Sequence, residues 1–125
     1  MPVRLSNSSV LKWPDAEAVD QATRRWATEM AKTHQGVRRI GYFGSYARGD
    51  AGVGSDIDLV IVLTDATLPF EKRASEWDAT NLPVPADVLV YTEKEWESLR
   101  QRERFYQTLM RETVWILERE GENRK

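Results

Sequence analysis

Residues 37–64, VRRIGYFGSYARGDAGVGSDIDLVIVLT, hold two runs rich in β-branched and aromatic residues around a glycine-spaced loop. Val37 to Phe43 reads as a strand that leads straight into Gly44-Ser45 and a short turn of helix. The glycines at 49, 52 and 54 mark a flexible connection to Ser55. Beyond it Ile57, Leu59, Ile61 and Leu63 alternate with Asp56, Asp58, Val60 and Val62, the pattern of a largely buried strand with acids at its start.

Upstream, Trp13-Pro14-Asp15 signals a helix start, because proline suits the first turn and an acid complements the helix dipole there. Val19, Ala22, Trp26, Ala27, Met30 and Ala31 then recur at three- and four-residue spacing until Gly36, predicting an amphipathic helix over about 15–35. Residues 1–13 read as an irregular N-terminal segment. Downstream, Thr64 to Pro69 is a turn and Phe70 to Ala79 a weakly amphipathic helix carrying Phe70, Ala74 and Trp77, broken by Leu82-Pro83-Val84-Pro85. Asp87 to Tyr91 gives a third strand.

Thr92 with Glu95 fits a capping box. Trp96, Leu99, Phe105, Tyr106, Leu109 and Met110 mark helical segments interrupted near Glu103. Thr113 to Leu117 returns as a last strand, and 119–125 is a charged tail.

A chain of 125 residues, 41% of them hydrophobic, fits one domain over 1–125. Such a domain buries roughly two-thirds of the surface its unfolded chain exposes. The formal charge of -2 supplies no global field toward nucleic acid, so no strong nucleic-acid binding is expected. With no cysteine, disulfides, thiolate zinc sites and thiol nucleophiles are excluded, a composition suited to a reducing cytoplasm. No stretch approaches the roughly 18 apolar residues of a membrane span, and the N-terminus lacks a long apolar leader region. The expectation is a soluble, cytoplasmic protein.

Chemistry concentrates around the Gly-Ser and the paired acids. On an extended strand, residues two apart face the same way about 6.6 Å from each other, so Asp56 and Asp58 reach into one cleft. Two carboxylates there repel unless a cation sits between them. Mg²⁺ takes oxygen ligands at about 2.0–2.1 Å, typically one or two carboxylates plus substrate phosphates, and two-metal sites hold their ions about 3.5–4 Å apart. Asp87 is an isolated acid among apolar strand residues and calls for a partner; beside the Asp-x-Asp strand, about 4.8 Å away, it would complete a three-carboxylate site. Gly44, lacking a side chain, lets phosphate oxygens approach backbone N–H groups at the start of the next short helix, and Ser45 adds a hydroxyl. Arg48 one turn on is either a phosphate contact or a surface charge. Asp50 reads as a turn residue.

Gly44-Ser45, ten intervening residues, Asp56-x-Asp58, and a later Asp87 in a strand together resemble the DNA polymerase beta-like nucleotidyltransferase superfamily. Within it the small size is similar to the minimal nucleotidyltransferases, antitoxins that pair with HEPN-domain toxins. The resemblance covers nearly the whole chain. It implies an α+β fold, a small mixed sheet of about four strands flanked by helices. It also implies Mg²⁺-dependent transfer of a nucleoside monophosphate, usually AMP from ATP, to a hydroxyl. Asp56 and Asp58 then bind metal and triphosphate, Asp87 the metal that activates the nucleophile, and Gly44, Ser45 and Arg48 the nucleotide. For antitoxins the acceptor is a tyrosine of the HEPN toxin. Two alternatives stay open: transfer to a small molecule such as an aminoglycoside, and a non-catalytic antitoxin that neutralises by occlusion. The sequence leaves the number of metals and the homo- or hetero-oligomeric state open.

His34, the only histidine, lies where a cation favours a helix C-terminus, so a capping role is expected. Trp26, Trp77 and Trp96 fall in apolar helical patterns and read as core, whereas Trp13 is the best candidate for a partner surface. Arg24-Arg25 and Arg38-Arg39, interleaved with acids, read as solvated faces.

Overall fold

The computed structural model describes residues 13–99, 101 and 104–119. The expected break at Glu103, the side chains of Phe105 and Met110, residues 1–12 and residues 120–125 lie outside that description. The elements run α1 (Ala16–Thr33), β1 (Val37–Phe43), α2 (Ser45–Arg48), β2 (Ile57–Leu63), α3 (Phe70–Arg73), β3 (Ala86–Thr92), α4 (Glu93–Leu99), α5 (Arg104–Glu112) and β4 (Val114–Glu118). Among the described residues the strands form one sheet in the order β3-β2-β1-β4. β1 is antiparallel to β2 and β4, and β2 is parallel to β3, which makes the sheet mixed. No helix among the described residues is long and apolar enough to cross a membrane.

α1 starts where the Asp15 carboxylate accepts the Ala18 N–H at 2.8 Å. Val19, Thr23, Trp26, Ala27 and Ala31 form its buried stripe. That stripe covers one sheet face, packing with Ile40, Tyr42, Ile57, Leu59, Ile61 and Val90. The helix ends as expected at His34, whose backbone N–H donates to the Met30 carbonyl at 3.0 Å and whose ring stacks on Trp77 at 4.0 Å. The opposite face carries Val60, Val62 and Tyr91 under Trp96 of α4 and Leu109 of α5. By strand alternation Asp58 shares this second face with Val60, and Asp87 shares it with Tyr91.

Three expectations are corrected. The helix predicted over Phe70 to Ala79 is α-helical only through Arg73 and then tightens into a 3₁₀ turn, Ala74–Glu76. Trp77 leaves the helical path to bury itself against His34, while the Asp78 carbonyl accepts the Trp26 indole at 2.8 Å and the Asp78 carboxylate accepts the Thr80 N–H. Tertiary partners for these groups outweigh a weak helical pattern. Arg38 and Arg39 are half-buried rather than simply solvated: Arg38 pairs with Glu93 at 3.1 Å, and the Arg39 guanidinium lies over Trp115 at 4.3 Å. Trp13 also packs against the core, its indole reaching the Tyr46 hydroxyl at 3.4 Å, so it is an anchor rather than a free surface.

The capping box is present. Thr92 Oγ1 accepts the Glu95 N–H at 3.1 Å, and Glu95 Oε1 accepts the Thr92 N–H at 2.9 Å. Glu95 also receives Arg73 in a forked pair at 2.7 and 3.1 Å, and the buried guanidinium donates further to the Leu68 and Val90 carbonyls. That network ties α3 to the C-terminal end of β3.

Candidate active site

At the other end of β3 three strands bring their ends together. Asp58 is opposite Phe43 across the antiparallel pair and opposite Asp87 across the parallel pair. The parallel pairing begins just before the acids, where the Ile57 N–H donates to the Pro85 carbonyl at 2.9 Å. Leu82 and Val84 are buried against the first face, so the proline-rich segment does more than stop a helix: it delivers β3 to β2 in this register. Asp58 and Asp87 thus lie side by side on one face, as the sequence anticipated. Asp56 sits one residue before β2 begins and is exposed, as is Asp87, whereas Asp58 is half-buried.

Gly44 follows β1 with φ of 77° and ψ of -149°, in the left-handed half of backbone space. A Cβ built there would lie 2.3 Å from Asp58 Oδ2. Only glycine lets the chain turn this way while the carboxylate rests against its backbone. Ser45 opens α2, and its carbonyl accepts the Gly49 and Asp50 N–H groups at 3.0 Å each. Tyr46 is buried behind the turn and donates to the Ser55 carbonyl at 3.4 Å, tethering the glycine loop. Arg48 is exposed; its guanidinium reaches Asp50 Oδ2 and Glu112 Oε2, each at 3.4 Å.

Glu112 is the residue that sequence reasoning missed. It ends α5, and its Oε2 accepts the Gly44 N–H at 2.9 Å as well as Arg48. An acid in the last turn of a helix opposes the helix dipole, and that mismatch was the one signal available to find it.

The electrostatics are only partly compensated. The Asp58 carboxyl is pushed above the usual carboxylate range, first by burial and then by the charges of Asp87 and Asp56, with Glu112 adding to them and Arg48 opposing. Among the described residues no three Asp, Glu, His or Cys side chains are drawn into a ready-made metal cage. Mg²⁺ does not need one, since it usually takes one or two carboxylates and completes its shell with phosphate and water oxygens. A half-buried carboxylate raised by burial and by its anionic neighbours belongs to an all-oxygen donor set short of positive charge, and a hard divalent cation fits it. A cavity of about 810 Å³ lies along the edge of β3, lined by Trp13, Trp77, Leu82, Val84 and Val88 with Asp87 at its rim. It is mainly apolar and sits toward the α1 face, away from the Gly44 turn.

Comparison with known proteins agrees with this geometry. A protein from Sulfolobus solfataricus, assigned as a nucleotidyltransferase in its 1.40 Å crystal structure, is 20% identical over 94% of each chain with a TM-score of 0.58. A toxin–antitoxin structure with AMP-PNP is 18% identical over 78% of this chain and 74% of that one, at a TM-score of 0.49. A toxin–antitoxin MntA–HpeT mutant is 15% identical over the same shares, at 0.46. The first shows the shared fold; the other two are too distant to add weight. Curated proteins gave no match. The sequence profile of the nucleotidyltransferase domain matches residues 24–116, a span that holds the Gly44 turn and all three acids, and the chain belongs to that family.

Proposed function

We propose that the chain transfers a nucleoside monophosphate, AMP from ATP, to a hydroxyl, and that the acceptor is a tyrosine of a partner HEPN toxin. The observation that carries the transfer chemistry is the in-register pair Asp58 and Asp87 facing a Gly44 turn with no room for a side chain. Asp56, Asp58 and Asp87 are the residues that would hold Mg²⁺, one ion or two. The bound metal supplies charge neutralisation at the α-phosphate and the leaving pyrophosphate and lowers the pKa of the attacking hydroxyl.

The chain's own groups do the rest. The backbone N–H at Gly44 and the Ser45 hydroxyl orient the phosphates, and the Arg48 guanidinium neutralises them. Asp87 is exposed on the edge strand, which leaves it accessible to an acceptor hydroxyl. Exposure of both Asp56 and Asp87 leaves the site open to a macromolecular acceptor. The antitoxin assignment rests on the resemblance to minimal nucleotidyltransferases.

The test uses ATP labelled at the α-phosphate, the protein, and a HEPN protein encoded beside it. Label is expected on the HEPN tyrosine and absent with the Asp56→Ala and Asp58→Ala double variant. Persistent labelling by that variant overturns the assignment of the acids, and full neutralisation of the toxin without any label replaces transfer by occlusion.

A further inference from the structure

One carboxylate oxygen, Glu112 Oε2, accepts from both the Gly44 N–H at 2.9 Å and the Arg48 guanidinium at 3.4 Å. These are two of the donors that the nucleotide-transfer reading assigns to the triphosphate. We propose that Glu112 is an internal anion standing in the phosphate position, a residue that sets nucleotide affinity because it must leave Gly44 and Arg48 before the phosphates engage. This inference rests on the transfer reading and deepens it.

Its physical basis is the contrast between the helix end and acidic neighbours that disfavour a carboxylate and the two donors that hold it. As the last residue of α5 it sits at the negative end of a helix dipole, where a carboxylate is disfavoured. It is close enough to Asp58 to oppose that group's ionisation, and so adds negative charge to an end of the sheet already crowded with it. Its side chain is largely buried, 21% exposed, while Arg48 is 51% exposed and open to an incoming anion. Charge-assisted hydrogen bonds to Gly44 and Arg48 hold Glu112 in place against these costs. A triphosphate satisfies the same donors with more oxygens and more charge, so the two anions compete. Displacing Glu112 also frees the end of α5 and the residue that leads into β4, so nucleotide occupancy is transmitted to a helix 68 residues away in sequence from the Gly44 turn.

The discriminating variant is Glu112→Gln, which keeps an acceptor oxygen for the Gly44 N–H and removes the charge. A purely structural clamp would survive this change. Binding of inorganic tripolyphosphate in metal-free buffer is expected to tighten about tenfold by calorimetry, the scale of one charge-assisted hydrogen bond. KM for ATP falls in step. Asp50→Asn is the control, because Asp50 pairs with the same arginine at 3.4 Å without touching Gly44; it should tighten binding less than about threefold. Glu112→Asp, whose shorter carboxylate withdraws from Gly44, gives an intermediate gain and carries the test if the glutamine variant fails to fold.

No tightening in Glu112→Gln, equal tightening in Asp50→Asn, or a collapse of kcat at unchanged KM each overturns the proposal. Wild-type protein that binds neither tripolyphosphate nor Mg·ATP overturns the transfer reading itself. Wild-type protein that binds while Glu112→Gln binds no tighter overturns only the role of Glu112.

Discussion

At the C-terminal end of β3, Glu95 receives a forked pair from the buried Arg73 and the backbone N–H of Thr92. At the N-terminal end, Asp58 of the neighbouring strand faces Asp87 in register, with Asp56 two residues before it and Glu112 beyond. Both carboxylates are partly buried against the same sheet, and their surroundings push them in opposite directions. The Glu95 carboxyl is lowered, first by its hydrogen bond to Arg73, whereas the Asp58 carboxyl is raised by burial and by its anionic neighbours. One end completes its charge balance within the chain and serves the fold. The other leaves negative charge without full balance in the chain, which on the proposed reading a cation and a triphosphate would supply.

The sharpest way to break the functional end is through the backbone that accommodates it. Gly44→Ala puts a methyl group 2.3 Å from Asp58 Oδ2 at a φ of 77°. The strain costs about 1–3 kcal/mol of stability. Displacement of Asp58 should lower nucleotidyl transfer on the order of 100-fold. Gly49→Ala separates the two costs, because Gly49 has φ of 85° with nothing within 4 Å of its added Cβ. It should lose comparable stability by urea titration while keeping most of its activity. Equal loss of activity in both variants would show that the close approach of Asp58 to Gly44 is unimportant.

Much of this contrast is readable in the chain, because it is written in local pattern. The span of β1, the strand positions of Asp58 and Asp87 and the Thr92–Glu95 capping box follow from neighbours in sequence. The pairing that sets Asp58 beside Asp87 is instead an expectation that hangs on the neighbouring strand and on the family resemblance. What escaped depends on distant partners. Arg73 carries no local signal, and its importance appears only where the Val90 carbonyl and Glu95 close around it. Glu112 carries no motif of its own, and its role emerges only where α5 delivers it to Gly44. Trp77 departs from its helical pattern because His34, at the end of another element, offers a stacking surface. Trp13 read as a partner surface because its contact Tyr46 lies 33 residues away.

The structural end is tested by Glu95→Gln. The variant keeps an acceptor for Thr92 but removes the charge that faces Arg73, which is 7% exposed. Because the Glu95 side chain is itself 41% exposed, the loss is discounted for solvent screening to about 1–2 kcal/mol at neutral pH. A carboxyl lowered in the folded state contributes stability above its unfolded value and loses it as pH falls through the folded one. The gap between variant and wild type should therefore be full at pH 7 and close as pH falls below the usual glutamate range and through the lowered folded value, read from denaturant midpoints. A gap that persists in acid would assign the effect to packing instead of charge.

Asp58→Asn reverses the sign and gives the smallest shift. A carboxyl raised in the folded state holds its proton more tightly there than in the unfolded chain. Its ionisation therefore costs stability progressively as pH rises from the unfolded value through the folded one, and none of that cost exists below both. Removing the charge should raise the melting temperature at pH 7 by ~2 °C, with the difference vanishing in acid. Added Mg²⁺ should raise the melting temperature of the wild type, since a ligand that binds only the folded state stabilises it by mass action, and should do so far less in the variant. An asparagine variant that melts below the wild type at pH 7 would mean Asp58 is already compensated within the chain. The contrast with Glu95 would then disappear, and with it the argument that this end of the sheet is held open for a cation.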